Sequence, residues 1–175
     1  MDTLSHALYG ATLFSRTGLA GGRRGSVDAA GRKLRFDWTT WAAGGFGLLP
    51  DAASLGVYIL YLAVHGRVFN FYGIPPGIFT AYHALHSLLI AGLMVWLLRL
   101  LWRPIFVPAL AWPLHIAMDT FMHGRGVFQT PLFYPVLGGT TPGINWWEHP
   151  WVSLTAWSIL PALWLALFLW RRSSR

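Results

Sequence analysis

The chain has 175 residues, of which 55% are hydrophobic and only 11% are charged, and its mean hydropathy is +0.48. Because about a quarter of the residues in a typical soluble domain are charged, this composition excludes an ordinary soluble domain and indicates a small integral membrane protein. The formal net charge is +7 and cysteine is absent, so disulfides and thiolate metal sites are excluded.

The positive charge follows the hydrophobic segments along the sequence and does not form a separate basic domain. We therefore predict a membrane topology signal and no nucleic-acid partner. The basic residues expected on the cytoplasmic side lie in one loop, in a short turn and at the C-terminus: Arg16, Arg23, Arg24, Arg32, Lys33, Arg35, Arg99, Arg103, Arg171, Arg172 and Arg175. This arrangement leaves Arg67 and Arg125 on the outer side.

The first predicted element is a helix from Asp2 to Phe14. At 1.5 Å per residue its length is about 20 Å, which is shorter than the roughly 30 Å hydrocarbon core of a bilayer. We expect this helix to insert from the outer side without crossing. A flexible basic loop rich in glycine and arginine follows, at about residues 16–36.

Four longer apolar segments are then predicted to span the membrane: 38–64, 78–101, 105–122 and 151–170. The first of them contains "GGFGLLPDAAS", so we expect two half-helices separated at Pro50. Residues 125–150 form an outer loop. The prediction is one all-α, multi-pass membrane domain over residues 1–175, with about four transmembrane helices, a short inserted N-terminal helix and a cytoplasmic C-terminus.

Six ionisable side chains lie inside these apolar segments, where each needs a partner. An aspartate at a helix centre costs about 2.5–3.5 kcal/mol on insertion scales. Metal coordination is the one kind of partner that would use all six groups: His6, Asp51, His83, His86, His115 and Asp119.

The spacing of these residues also favours a metal site. In "LHIAMDTFMHG", His115 and Asp119 are four residues apart, and His83 and His86 are three apart, so each pair shares a helix face. Counted by helical rise, Asp51 lies deeper than the others unless the break at Pro50 brings it level. The competing interpretation is that each histidine packs by itself and that Asp51 caps a half-helix.

Imidazole and carboxylate ligands without sulfur suit Zn²⁺, with Mn²⁺ or Fe²⁺ as alternatives. Since the candidates outnumber the three protein ligands of one catalytic zinc, we expect one or two ions. A pair of ions is the usual device for phosphoester hydrolysis. Asp51 is the candidate bridging carboxylate, and Asp119 completes the shell or acts as general base.

Four motifs in order, "MDTLSHALYG", "LLPDAAS", "HALHSLL" and "HIAMDTFMHG", resemble those of the YdjM-type inner-membrane metal-dependent hydrolases. That family is in turn similar to the zinc-dependent phospholipase C and P1 nuclease group, which are all-helical enzymes with clustered zinc ions. The resemblance implies a membrane-bound hydrolase of the inner membrane. The ligands it implies are His6, Asp51, His83, His86, His115 and Asp119.

A site that opens outward, with Arg67 and Arg125 near its mouth, suits an amphiphilic phosphoester whose tail stays in the bilayer. Glu148, in the outer loop, is a further candidate acid or base. Two other functions fit the same residues. One is a noncatalytic membrane protein with a structural metal, which recruits a cytosolic partner through the basic loop, and the other is a small ion transporter.

Overall fold

The structure, a computed structural model, describes residues 2–25, 27, 31–32, 34–70, 73–124, 126 and 128–173. This part of the chain is helical and contains no β-strand. The main helices are α1 (Thr3–Phe14), α2 (Trp38–Val64), α3 (Pro76–Leu85), α4 (Leu88–Leu101), α5 (Arg103–Met122) and α6 (Pro150–Arg172). The predicted all-α class is confirmed.

Three of these helices are long and apolar enough to span a membrane. They are α2, α5 and α6, with 27, 20 and 23 residues. Their outward faces carry large apolar side chains such as Trp41, Leu60 and Leu154, which are 73%, 65% and 68% exposed. A soluble monomer rarely exposes apolar surface on this scale, whereas a lipid-facing surface requires it.

The fourth predicted span, residues 78–101, is not a single helix. Helices α3 and α4 meet at an angle of 60°, so the described part of the chain has three candidate spans, and a fourth only if this bent pair is taken as one. The bend has a local cause at Ser87. Its hydroxyl caps α4 by accepting from the backbone N–H of Ile90, and it donates to the carbonyl of Tyr134 at 2.7 Å. A short hydroxyl side chain thus starts a new helix within a largely apolar segment.

The break predicted at Pro50 is also wrong, because α2 continues through it to Val64. Directly after Asp51 the helix widens into a π-helical segment, Ala52–Gly56. A proline lacks the backbone N–H and crowds the preceding turn, but α2 continues past Pro50, and the wider turn follows directly. The hydroxyl of Ser54, within this segment, donates to the Pro50 carbonyl at 2.5 Å.

Helix α1 lies against α2 at two glycines. A Cβ atom on Gly10 would lie 2.6 Å from the carbonyl oxygen of Ala43, and one on Gly47 would lie 2.5 Å from the carbonyl oxygen of His6. Glycine therefore allows the two backbones to approach directly, as small residues do between membrane helices. This contact holds His6 between α2 and α5.

The two ends of the bundle are fixed by loops. At one end, the Arg171 guanidinium on α6 donates to the carbonyls of Thr17, Gly18 and Gly22, so this part of the basic loop is tied to the last helix. At the other end, the loop before α6 runs across the end of α5. There the backbone N–H of Ile144 donates to the Phe121 carbonyl at 2.9 Å.

Candidate metal centre

Four ionisable side chains converge inside the bundle: Asp51 from α2, His86 from the α3–α4 bend, and His115 and Asp119 from α5. One ligand atom from each residue lies within 4.8 Å of all the others. The residues on α5 meet because they are four apart on one helix face. Asp51 and His86 join them from the two places where the helices depart from regular geometry.

The two histidines, His86 and His115, both point Nε2 into the cluster. His115 Nδ1 lies 2.7 Å from the carbonyl oxygen of Gly47, and His86 Nδ1 lies 2.9 Å from that of Tyr82. A carbonyl only accepts, so each Nδ1 is the donor and each neutral imidazole presents a bare Nε2 lone pair. The two Nε2 atoms face each other at 3.2 Å.

The two carboxylates each turn one oxygen into the cluster. Asp119 Oδ2 lies 3.2 Å from His115 Nε2 and 3.5 Å from His86 Nε2. Asp51 Oδ1 lies 3.7 Å and 3.5 Å from the same two nitrogens. The second oxygen of each has a partner outside the cluster. Asp119 Oδ1 lies 2.9 Å from His6 Nε2, and Asp51 Oδ2 accepts from the Thr3 hydroxyl at 2.6 Å.

The negative charge of this cluster favours a bound cation. With both imidazoles neutral, as metal ligands are, the two carboxylates give the cluster a net charge of −2, and the side chains of His86, His115 and Asp119 are at most 1% exposed. Buried charge of this kind is retained only when it is compensated. Ligand atoms around a tetrahedral zinc lie about 3.3 Å apart, given bonds of about 2.0–2.1 Å. The donor types fit one divalent metal ion, as do the 3.2–3.7 Å separations between the two Nε2 atoms and between each Nε2 and the carboxylate oxygens.

The histidines and carboxylates are also oriented as metal ligands usually are. Ligating histidines donate their second ring N–H to a carbonyl or carboxylate, which fixes the tautomer and the ring position. Gly47 and Tyr82 accept those N–H groups here. Gly47 belongs to the helical turn before Pro50. Its carbonyl accepts the hydrogen bond from His115 on α5.

His6, a predicted ligand, lies beside the cluster and not within the group of four. Its ring stacks on that of His115 with centroids 3.8 Å apart, and the residue is 1% exposed. Its Nε2 contacts Asp119, while its Nδ1 has no hydrogen-bond partner in the described part of the chain. His6 thus positions the Asp119 carboxylate and keeps one nitrogen available.

His83, predicted with His86, is partly buried and stays outside the cluster; its ring lies near those of Phe79, Tyr82 and Tyr134. The two histidines do not both face the centre because α3 ends between them. His123 is nearer, with Nδ1 3.6 Å from Asp119 Oδ2 and 3.4 Å from the Tyr82 hydroxyl.

The remaining candidates lie in loops. Glu148 is exposed and accepts a hydrogen bond from the Asn145 side chain at 2.9 Å. Arg67 is exposed after the end of α2. Arg125 lies outside the described residues. Neither Glu148 nor Arg67 belongs to the four-residue cluster.

Three residues of the site were not anticipated: Thr3, Gly47 and Tyr82. Tyr82 had a signal, since it precedes His86 by four residues and its carbonyl is therefore the natural acceptor for the His86 ring. Its own ring also stacks on His86 at 3.9 Å. Thr3 and Gly47 had no such signal, because their contacts join residues 48 and 68 positions apart.

Comparison with known protein-family models, curated proteins and solved structures finds no match to this chain.

Proposed function

We propose that this protein is a membrane-bound metal-dependent hydrolase of the YdjM type that acts on a phosphoester. The observation that carries the proposal is the uneven exposure of the cluster. Asp51 is 17% exposed, whereas His86, His115 and Asp119 are at most 1% exposed. A site with one accessible edge has room for a water molecule, which a closed structural site lacks.

In this proposal His86, His115, Asp119 and the more exposed Asp51 would hold a zinc ion, or alternatively Mn²⁺ or Fe²⁺, and a second ion would draw on His6. A bound divalent ion supplies a water of lowered pKa and stabilises negative charge on a phosphoryl group. Asp51 lies at the accessible edge and can orient that water and accept its proton. The Thr3 hydroxyl holds one Asp51 oxygen, so the other faces the histidines.

The proposed location is the inner membrane, with a cytoplasmic C-terminus. The support is the charge distribution, because Arg171 of α6 contacts the basic loop at residues 17–22 and so gathers the arginines at one end. Asp119 and His123, near the other end of α5, then lie toward the outer side. Helix α1 inserts beside α2, and the bent α3–α4 pair provides a fourth crossing.

The proposed substrate is an amphiphilic phosphoester whose apolar part stays in the bilayer. A site among lipid-exposed helices can receive such a molecule laterally. Arg67 and Arg125 are the proposed phosphate-binding residues, and Glu148 is the proposed acid or base of the outer loop. These three assignments rest on the predicted sidedness of the loops.

A second candidate function is a noncatalytic protein whose metal only joins the helices, with a cytosolic partner on the basic loop. The observation in its favour is the number of converging ligands, since four protein ligands are typical of structural zinc. This candidate predicts full metal content and no turnover.

The deciding experiment is a turnover assay on the purified, metal-loaded protein with phospholipids, isoprenoid phosphates and an aryl phosphate. We expect hydrolysis of at least one of them by the wild type, and its loss in Asp51→Asn, which keeps the size of the side chain but removes its basicity. His83→Ala is the matched control, because it removes a nearby histidine outside the cluster. A metal-loaded wild type that hydrolyses none of them would favour the structural role.

A further inference from the structure

The C-terminal end of α6 carries a groove far from the metal cluster. Its volume is about 420 Å³, and it is lined by Trp164, Leu167, Phe168, Arg171 and Arg172. Ligand pockets commonly have volumes of about 300–1,000 Å³. These residues recur at helical spacing, so they form one stripe along α6.

The stripe changes from apolar to cationic along α6. The apolar side chains come first and the two arginines last, over about 12 Å from Trp164 to Arg172 at 1.5 Å per residue. Leu167 forms the base and is 7% exposed, while Phe168 forms an open side and is 59% exposed. The groove is therefore apolar toward the middle of α6 and cationic at its end.

The two arginines have different roles. Arg171 donates three of its five N–H groups to backbone carbonyls. These hydrogen bonds fix its position without neutralising its charge. Arg172 is exposed next to it. A helix C-terminus by itself disfavours anions, so any affinity for a negative group here depends on these guanidinium groups.

More positive charge lies around the groove. The guanidinium of Arg23 lies 5.7 Å from the ring centroid of Trp170, on the same end of α6. Asp37 is the one acidic residue described at this end, and its oxygens accept from Thr17 and Thr39; Asp28 lies outside the described residues. Among the described residues, no carboxylate lines the groove.

We propose that this groove binds an anionic phospholipid. The phosphate lies between Arg171 and Arg172, and an acyl chain lies along Phe168, Leu167 and Trp164. The order of the lining matches the order of groups in the lipid, from headgroup to chain. Arginine pairs well with phosphate, and basic clusters at the ends of membrane helices attract anionic lipids. This site does not depend on the proposed hydrolase activity.

The test is lipid retention measured by native mass spectrometry on protein purified in a neutral detergent. Phosphatidylglycerol and phosphatidylcholine with identical chains are added separately. We expect the wild type to retain phosphatidylglycerol preferentially, and Arg172→Gln to lower its affinity about fivefold. The matched control is Arg103→Gln, an exposed arginine at the start of α5 that does not line the groove, which should leave retention unchanged.

Phe168→Ala is a second variant, which should weaken retention through the loss of chain contact. Equal retention of the two lipids by the wild type would overturn the proposal, as would equal losses in Arg172→Gln and Arg103→Gln. Displacement of phosphatidylglycerol by an equal concentration of glycerol phosphate would also overturn it, because the site would then recognise an anion and not a phospholipid.

Discussion

His86 and His115 present their Nε2 atoms to each other at 3.2 Å, although each ring has already donated its Nδ1 proton to a backbone carbonyl. Neutral imidazoles in this arrangement have no proton to share, and their lone pairs repel. A cation between them, with Asp51 and Asp119 as further ligands, removes the repulsion and the buried negative charge together.

The first prediction concerns metal content. His86→Ala and His115→Ala should each lose the bound divalent ion, since each removes one of the four converging ligands and leaves two carboxylates without compensation. Elemental mass spectrometry of the purified protein measures this. His83→Ala, three residues from His86, should retain its metal. Full metal content in both cluster variants would disprove the site.

The second prediction concerns Thr3. Thr3→Val removes the hydroxyl that donates to Asp51 Oδ2 at 2.6 Å while keeping the shape of the side chain. Loss of such an outer hydrogen bond usually weakens metal binding about 10–100-fold. Competition with a metal chelator measures the affinity, and Thr3→Ser should behave like the wild type. If the valine and serine variants bind metal equally well, Thr3 does not position Asp51.

The third prediction concerns the contact between α1 and α2. A Cβ on Gly47 would lie 2.5 Å from the His6 carbonyl oxygen, which belongs to the backbone and cannot move aside. Gly47→Ala should therefore destabilise the fold by about 2 kcal/mol, as overpacked sites do. Gly45→Ala on the same helix is the control, because its Cβ meets nothing within 4 Å. Thermal unfolding in detergent compares the two variants, and similar unfolding temperatures would count against the close approach of α1.

The fourth prediction concerns pH and Asp37, the N-cap of α2. Burial raises the pKa of this carboxyl, but hydrogen bonds from Thr39 and Thr17 outweigh it and hold the pKa below the ordinary value of 3.8. Its stabilising contribution is therefore complete above that value and is lost as the pH falls through the lower, folded-state pKa. Asp37→Ala should cost about 1 kcal/mol at pH 7, a typical value for an N-cap.

The measurement is the difference in unfolding temperature between the wild type and Asp37→Ala from pH 7 to pH 3. We expect the difference to shrink at the acidic end of this range. A difference that stays constant or grows as the pH falls would contradict the depressed pKa.

The fifth prediction concerns topology. The chain has no cysteine, so single cysteines at Ser173 and at Thr140 report without background. Ser173 follows α6, and Thr140 lies in the loop before it. An impermeant thiol reagent should label the two positions from opposite sides of the membrane, with Thr140 on the outside. Labelling of both from one side would mean that α6 does not cross.

The sequence predicted the long apolar helices well, because 20 or more apolar residues leave few alternatives in lipid. It did not predict the bend at Ser87, where one hydroxyl starts a new helix within a largely apolar segment and contacts the distant residue Tyr134. The π-helical segment after Asp51 was missed for a similar reason. Proline predicts a disturbance, but packing decides whether the helix ends or widens.

Part of the metal cluster could be predicted from helical spacing alone, and part of it could not. His115 and Asp119 share a face on any helix, so their pairing follows from spacing alone. The depth of Asp51 in the membrane was estimated for straight, regular helices. That estimate placed Asp51 deeper than the other candidate ligands. In the structure Asp51 reaches the cluster together with His86, which lies at the bend, whereas His83 does not.

The positions of the four ligands along the chain impose an order on biosynthesis. Asp51 enters the membrane with α2, long before residue 119 has been translated, and until then its carboxylate lacks the histidines of the later helices. Nascent chains that end before α5 cannot complete the cluster, whereas chains that end after it can. For the proposed metal site, acquisition of the ion therefore falls late in translation, because a chain that stalls earlier leaves Asp51 without the other three residues.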